Sequence, residues 1–131
     1  MKQCAAFLGA AVLLVLVMSC NGPLTSISAK LTARDWTQGG EADRGRDLIR
    51  HYGCHTCHTI PGIAGADGNV GPPLTLIAHR SFIAGELPNN PGNLVQWIRH
   101  PRSIEPKTAM PEMGVTDQDA KDIAAYLYTL R

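Results

Sequence analysis

Gly53-Cys54-His55-Thr56-Cys57-His58 is the stretch that decides the fold. Two cysteines three positions apart are followed at once by a histidine, and that spacing has a specific chemistry. Two thiols at that offset, just past the end of a helix, can each bond one vinyl group of a single porphyrin, and the adjacent imidazole then reaches the iron from one face. A dithiol redox site would require a βαβ context, which the flanking sequence lacks. A structural zinc site needs four ligands, commonly from a second close Cys or His pair. His51, His55, His79 and His100 supply no such pair. The pattern therefore predicts one covalently bound haem c, on Cys54 and Cys57, with His58 as an iron ligand.

Working outward, Ala42 to Gly53 reads as a helix. Leu48, Ile49 and Tyr52 share a face, Gly45 lies one turn earlier, and Gly53 closes the helix before the cysteines. Thr59 to Gly71 holds Pro61 and four glycines, at 62, 65, 68 and 71, and reads as loop. Asn90-Pro91 is a helix start, with Asn as N-cap and Pro at the first helical position. The helix runs through Leu94, Val95, Trp97 and Ile98 until Pro101 stops it. Ser103 to Pro111 reads as an extended, proline-marked loop. Thr116 can cap a last helix, with Asp119 completing a capping box. Ile123, Ala124, Tyr126, Leu127 and Leu130 give that helix its apolar face. There is no strand signal, so the fold class is all-α with long loops.

Composition agrees. The 131 residues include only two Phe, three Tyr and two Trp. So little aromatic bulk fills a core of this size poorly, and a large apolar cofactor would make up the volume. The formal net charge of +1 gives no case for a nucleic-acid partner.

The N-terminus reads differently. After Met1, Lys2 and Gln3, Ala5 to Met18 is an uncharged apolar run of fourteen residues. That is short of the roughly 17–25 needed to span a bilayer, and it suits the apolar region of an export signal. Val17-Met18-Ser19-Cys20 resembles a bacterial lipobox, so residues 1–19 are expected to be a lipoprotein-type signal and Cys20 the lipid attachment site. An uncleaved anchor and ordinary cleavage are the alternatives. Each puts the domain outside the cytoplasm, and the first anchors it to the membrane on the periplasmic side. Residues 20–40, rich in Ser, Thr and Gly, read as a flexible tether with an end-to-end distance of about 25 Å. The folded domain is expected over 41–131.

Over that domain the sequence resembles class I cytochromes c. Gly71-Pro72-Pro73-Leu74 is similar to the family's G-P-x-L segment, which implies that the Pro72 carbonyl accepts a hydrogen bond from the His58 ring. Arg80 and Trp97 match the residues that contact the haem propionates. Met110-Pro111 matches the ligand dipeptide, making Met110 the second axial ligand beside His58; Met113 is expected to pack the core. Tyr126 is expected to pack across Gly45. The stretch from Gly71 to Ile98 further resembles the cytochrome c domain fused to subunit II of some bacterial haem–copper (caa3-type) oxidases, without the copper-binding half. The resemblance implies a cytochrome c fold of about four helices wrapped around one haem. It also implies a single-electron carrier of a respiratory chain, not an enzyme and without a small-molecule substrate. Its expected partners are a terminal oxidase or another redox protein, and the membrane through the lipid anchor. A dedicated subunit of a larger complex, or a gas-binding or peroxidatic haem protein, are the competing functions.

From Cys20 onward there are 11 Lys+Arg and 11 Asp+Glu, and between Cys54 and His79 the only charged residue, histidines aside, is Asp67. Docking to a partner is therefore expected to be mainly apolar, with little long-range steering.

Overall fold

The computed structural model describes residues 23–131, so the signal and Cys20 lie outside the described residues. Five α-helices follow in order: α1 Pro23–Trp36, α2 Ala42–His51, α3 Pro91–Arg99, the single turn α4 Pro101–Ile104, and α5 Asp117–Leu127. Two 3-10 turns, Cys54–Thr56 and Ile77–His79, punctuate the long connection between α2 and α3. A two-residue hairpin, β1 Phe82–Ile83 against β2 Leu87–Pro88, interrupts the same connection. The all-α class stands. The hairpin is too short to have carried a period-2 pattern.

The α2–α5 pair is the frame, with the most extensive helix contact among the described residues. Gly45 allows it. A Cβ there would strike the backbone of Asp122 and Ile123 on α5, so only glycine lets the helices approach this closely. The Tyr126 side chain, one turn further along α5, donates its hydroxyl to the Pro61 carbonyl at 2.7 Å. Ile49 of α2 is buried, as are Ala120, Ile123, Ala124 and Leu127 of α5. Full burial of a side chain such as Ile49 stabilises the fold by about 1.5–3 kcal/mol.

The helix starts behave as their capping residues dictate. Asn90 accepts from the Asn93 N–H at 2.9 Å, with Pro91 in the first turn. Thr116 accepts from the Asp119 N–H at 3.2 Å. The Asp119 carboxylate is drawn instead to Arg44 and Tyr52, so it serves the α2–α5 contact. Pro101 ends α3 and opens α4, which turns the first residues of the expected extended loop into helix.

The reading of 20–40 as a flexible coil needs correction. Most of it is α1, and α1 is docked. Ala33 is buried and Thr37, just past the helix, donates to the Ala33 carbonyl at 2.7 Å. Trp36 meets the Tyr128 ring edge-on at 5.8 Å between centroids, and Lys30 and Arg34 pair with Asp43 and Glu41. The helix packs through small residues, Ala29 and Ala33, so no run of large apolar residues announced it. Among the described residues, no helix is long and apolar enough to cross a membrane.

Candidate functional site

Gly53 adopts φ +74°, the left-handed conformation that closes α2, and its N–H bonds the Arg50 carbonyl at 3.1 Å. The chain therefore turns out of α2 directly into the 3-10 turn carrying Cys54. The His58 N–H bonds the Cys54 carbonyl at 3.1 Å, fixing the pentapeptide as one unit.

The glycine-rich loop then folds back over it. The Gly71 N–H donates to the Cys57 carbonyl at 2.8 Å and the Leu74 N–H to the Thr59 carbonyl at 2.8 Å. Thr59 donates its hydroxyl to the Gly68 carbonyl at 3.0 Å. Two glycines make this possible. A Cβ on Gly68 would run into the Thr56–Cys57 backbone, and one on Gly71 would collide with the His58 ring. The loop brings Pro72 beside His58, with its carbonyl oxygen 2.8 Å from Nδ1. An Nδ1–H donating to that carbonyl leaves Nε2 as the nitrogen with a free lone pair, the tautomer a metal ligand requires.

All seven residues expected at the site line one cavity of about 600 Å³: Cys54, Cys57, His58, Pro72, Arg80, Trp97 and Met110. They come from four separate segments of the chain. The rest of the wall is mostly aliphatic, including Ile49, Leu74, Ile83, Leu94, Ile98, Val115, Ile123 and Leu127. The volume lies in the range of cofactor pockets, and beyond the predicted site residues the polar side chains at the wall are Thr56, Glu105 and Thr108. Arg80 donates to the carbonyls of Pro73 and Thr75, the latter at 3.1 Å, so its guanidinium is held over the loop that carries Pro72. Cys20 falls outside the described residues.

Of the remaining histidines, His79 and His100 are exposed, whereas His55 is half-buried with its Nδ1 lacking a partner. Met113 also departs from expectation. It does not pack the core: it is 37% exposed and lines the cavity, with its methyl 4.0 Å from the site of a Gly53 Cβ. Burial pushes the Cys54 thiol up from its ordinary range. Among the described residues, no group of three or more His, Cys, Asp or Glu is placed to hold a metal ion.

A polar clasp behind the cavity carried no motif. Arg44 bridges Asp119 and Asp122, Tyr52 donates to Asp119 at 2.7 Å, and the Glu41 N–H donates to Asp122 at 2.8 Å. Hydrogen bonds to Asp122, then Asp119, raise the Arg44 pKa. The Tyr52 hydroxyl, then Thr116 and Arg44, hold Asp119 below the usual carboxylate range. The available signal was two acids, Asp119 and Asp122, on the inner side of a buried helix, which demand a cation and donors.

An aliphatic chamber with a paired-cysteine turn and an oriented imidazole at its wall, inside a small all-α frame, defines a covalent haem protein. The chain belongs to the cytochrome c family, whose model matches residues 42–131, and it carries covalently bound haem c. It is similar to cytochrome c oxidase subunit 2 of Alkalihalophilus pseudofirmus, 35% identical over 91 residues, covering 69% of this chain and 26% of that protein. The corresponding subunit of Bacillus subtilis is 28% identical over 89 residues, covering 66% and 25%. The chain thus spans about a quarter of the length of these relatives. No solved structure gives a significant match.

Proposed function

We propose that the chain is a mono-haem electron carrier, anchored outside the cytoplasm by a lipid on Cys20, that delivers electrons to a terminal haem–copper oxidase. The observation behind it is the His58–Pro72 contact of 2.8 Å inside the cavity that Met110 also lines. When bound, the haem supplies a one-electron change at iron. The chain's residues do the rest. Cys54 and Cys57 would hold the macrocycle through thioether bonds. His58 and Met110 would hold the iron, and Pro72 would keep the imidazole in one plane. The aliphatic wall would exclude water, and Arg80 and Trp97 would hold the propionates. With His58 and Met110 both on the iron, no position would be left for a substrate, and transfer would be outer-sphere.

The experiment is Met110→Ala. It abolishes the weak sulfur–iron absorption of the ferric protein and lets the ferrous protein bind carbon monoxide, whereas Met113→Leu does neither. Loss of the band in Met113→Leu would transfer the ligand role to Met113, a serious rival because it lines the same cavity. Carbon monoxide binding by the wild type would favour a gas-binding or peroxidatic protein.

A second reading, a dedicated subunit of a larger complex, is favoured by the relatives, which are themselves oxidase subunits. Co-purification from native membranes separates a free carrier from a subunit. Anchoring is tested by fatty-acid labelling: wild type incorporates the label and Cys20→Ser does not.

A further inference from the structure

Helix α1 faces the wrong way for a helix whose only task is to pack on the domain. Ala29 and Ala33 share its inner side, and Ala33 is buried. At 100° per residue, Ile27 and Leu31 fall on the opposite side, one turn apart. They are 53% and 58% exposed. The small residues therefore pack inward while the large apolar ones point out. Lys30 and Arg34 border this outward stripe, each with about half its side chain exposed although paired with Asp43 and Glu41. The only acid on the helix, Asp35, sits in its last turn.

We propose that the Ile27–Leu31 face of α1 lies against the lipid bilayer, seated at the boundary between headgroups and acyl chains, and that it fixes how the domain sits on the membrane. The inference rests on the proposed anchoring at Cys20. What selects lipid as the occupant is the length of chain involved. From Cys20 to Pro23 is three residues, which reach at most about 10 Å when extended. Ile27 lies a further ~6 Å along the helix axis. An interfacial helix seats its apolar face roughly 5–10 Å into that boundary. With the apolar run of residues 5–18 or an acylated Cys20 in the bilayer, the start of α1 cannot leave the interface. The basic pair at the edge of the stripe suits the headgroup layer, where long cationic side chains extend toward water and phosphate. The segment expected to be a flexible leash becomes a rigid mount with a lipid-facing side.

The test uses the full-length, haem-loaded protein in vesicles of phosphatidylethanolamine and phosphatidylglycerol. Flotation scores anchoring. Hydroxyl-radical oxidation, read by mass spectrometry, scores coverage of Ile27 and Leu31 against Leu76, which is 57% exposed and lies away from the cavity. The expected result is several-fold less oxidation at Ile27 and Leu31 than at Leu76. In addition, Ile27→Ser combined with Leu31→Ser raises tryptic cleavage after Lys30 on vesicles several-fold and leaves the haem spectrum unchanged. Protein that floats while Ile27 and Leu31 oxidise like Leu76, or a double variant cleaved at the wild-type rate, overturns the inference and leaves the anchoring intact. Protection that rises with the protein-to-lipid ratio assigns the face to a second copy and overturns it too. Failure to float removes the anchoring and this inference together.

Discussion

Tyr128, just beyond the end of α5, donates its hydroxyl to Asn89 Oδ1 at 2.8 Å. Asn89 in turn donates its amide to the carbonyls of Ile77 and Arg80, both at 2.8 Å. One phenol thus ties the C-terminal helix to the turn that presents Arg80 to the haem cavity. On its other side the same ring receives Trp36 of α1. Tyr128→Phe keeps the ring and its packing and removes only the donor. It is expected to destabilise the haem-loaded protein by about 1 kcal/mol, the net worth of a partly buried hydrogen bond, read as a lower denaturant midpoint at constant slope. Burial also pushes the Tyr128 phenol up to about 12. The unfolded chain releases that proton near pH 10, so the wild type loses stability as pH climbs from about 10 toward 12. Tyr128→Phe flattens that alkaline limb.

Gly45→Ala separates a helix-propensity effect from a contact effect. In an open helix the change would gain about 1 kcal/mol. Here the new methyl meets the Asp122–Ile123 backbone of α5, which cannot yield by a rotamer change. The expected outcome is a loss of about 1–3 kcal/mol, the range for overpacking, measured by denaturation of the holoprotein. A gain in stability would mean that the two helices are not in such close contact.

Gly71→Ala acts on the site itself. Its methyl would collide with the His58 ring, so the imidazole must turn or the loop must lift, and either breaks the 2.8 Å contact with Pro72. The variant is expected to mature with less haem and to show a changed reduction potential, because the imidazole loses its fixed plane. Gly65→Ala is the control: nothing lies within 4 Å of its Cβ position, although its φ of +72° carries its own backbone strain. Equal haem content and equal potential in the two variants would refute the steric reading.

Acid should act through the clasp. Asp119 is held below its ordinary 3.8 by the Tyr52 hydroxyl first, with Thr116 and Arg44 adding to it. A depressed folded pKa adds stability that is fully present above the unfolded value and is lost as pH falls through the folded one. Stability should therefore decline below about pH 4 as Asp119 takes up a proton and lets go of Tyr52 and Arg44. Asp119→Asn is expected to lower stability at neutral pH and flatten this acid limb, tested by thermal melts across a pH series.

What could be read from residue order follows from how local each determinant is. The Cys54–His58 spacing and the caps at Asn90 and Thr116 act within a few residues, so each was legible. The other four site residues, Pro72, Arg80, Trp97 and Met110, were legible only through the resemblance, since nothing local says that they meet Cys54. Helix α1 was missed because its packing face is alanine and its large residues point away, the reverse of the usual amphipathic signal. The backbone of Asp122 and Ile123 beside Gly45 was not legible, because a glycine marks a close approach without naming what approaches. Met113 was assigned to the core because a methionine's chemistry is silent about depth, and it lies at the cavity wall.

The last prediction concerns how the haem site meets its redox partner. Val70, Phe82 and Met113 all line the cavity, so its wall carries large apolar side chains. Asp67 is the only Asp, Glu, Lys or Arg between Cys54 and His79, and the chain from Cys20 onward balances 11 cations against 11 anions. Such a surface gives little long-range attraction, so the encounter rate should respond weakly to salt. The charge that would oppose this is Lys107, on the loop leading to Met110. Because α1 packs on the domain, the soluble form to test begins at Pro23 rather than at residue 41. Its oxidation by the membrane oxidase is expected to change little across a salt series, and to run much slower than that of the anchored protein in shared membranes, where both partners are confined to one surface. Salt shortens the Debye length to roughly 10 Å at 0.1 M. A steep fall in rate over that range would show that Lys107 and its neighbours steer the encounter, and Lys107→Gln would then reduce the low-salt rate toward the high-salt one.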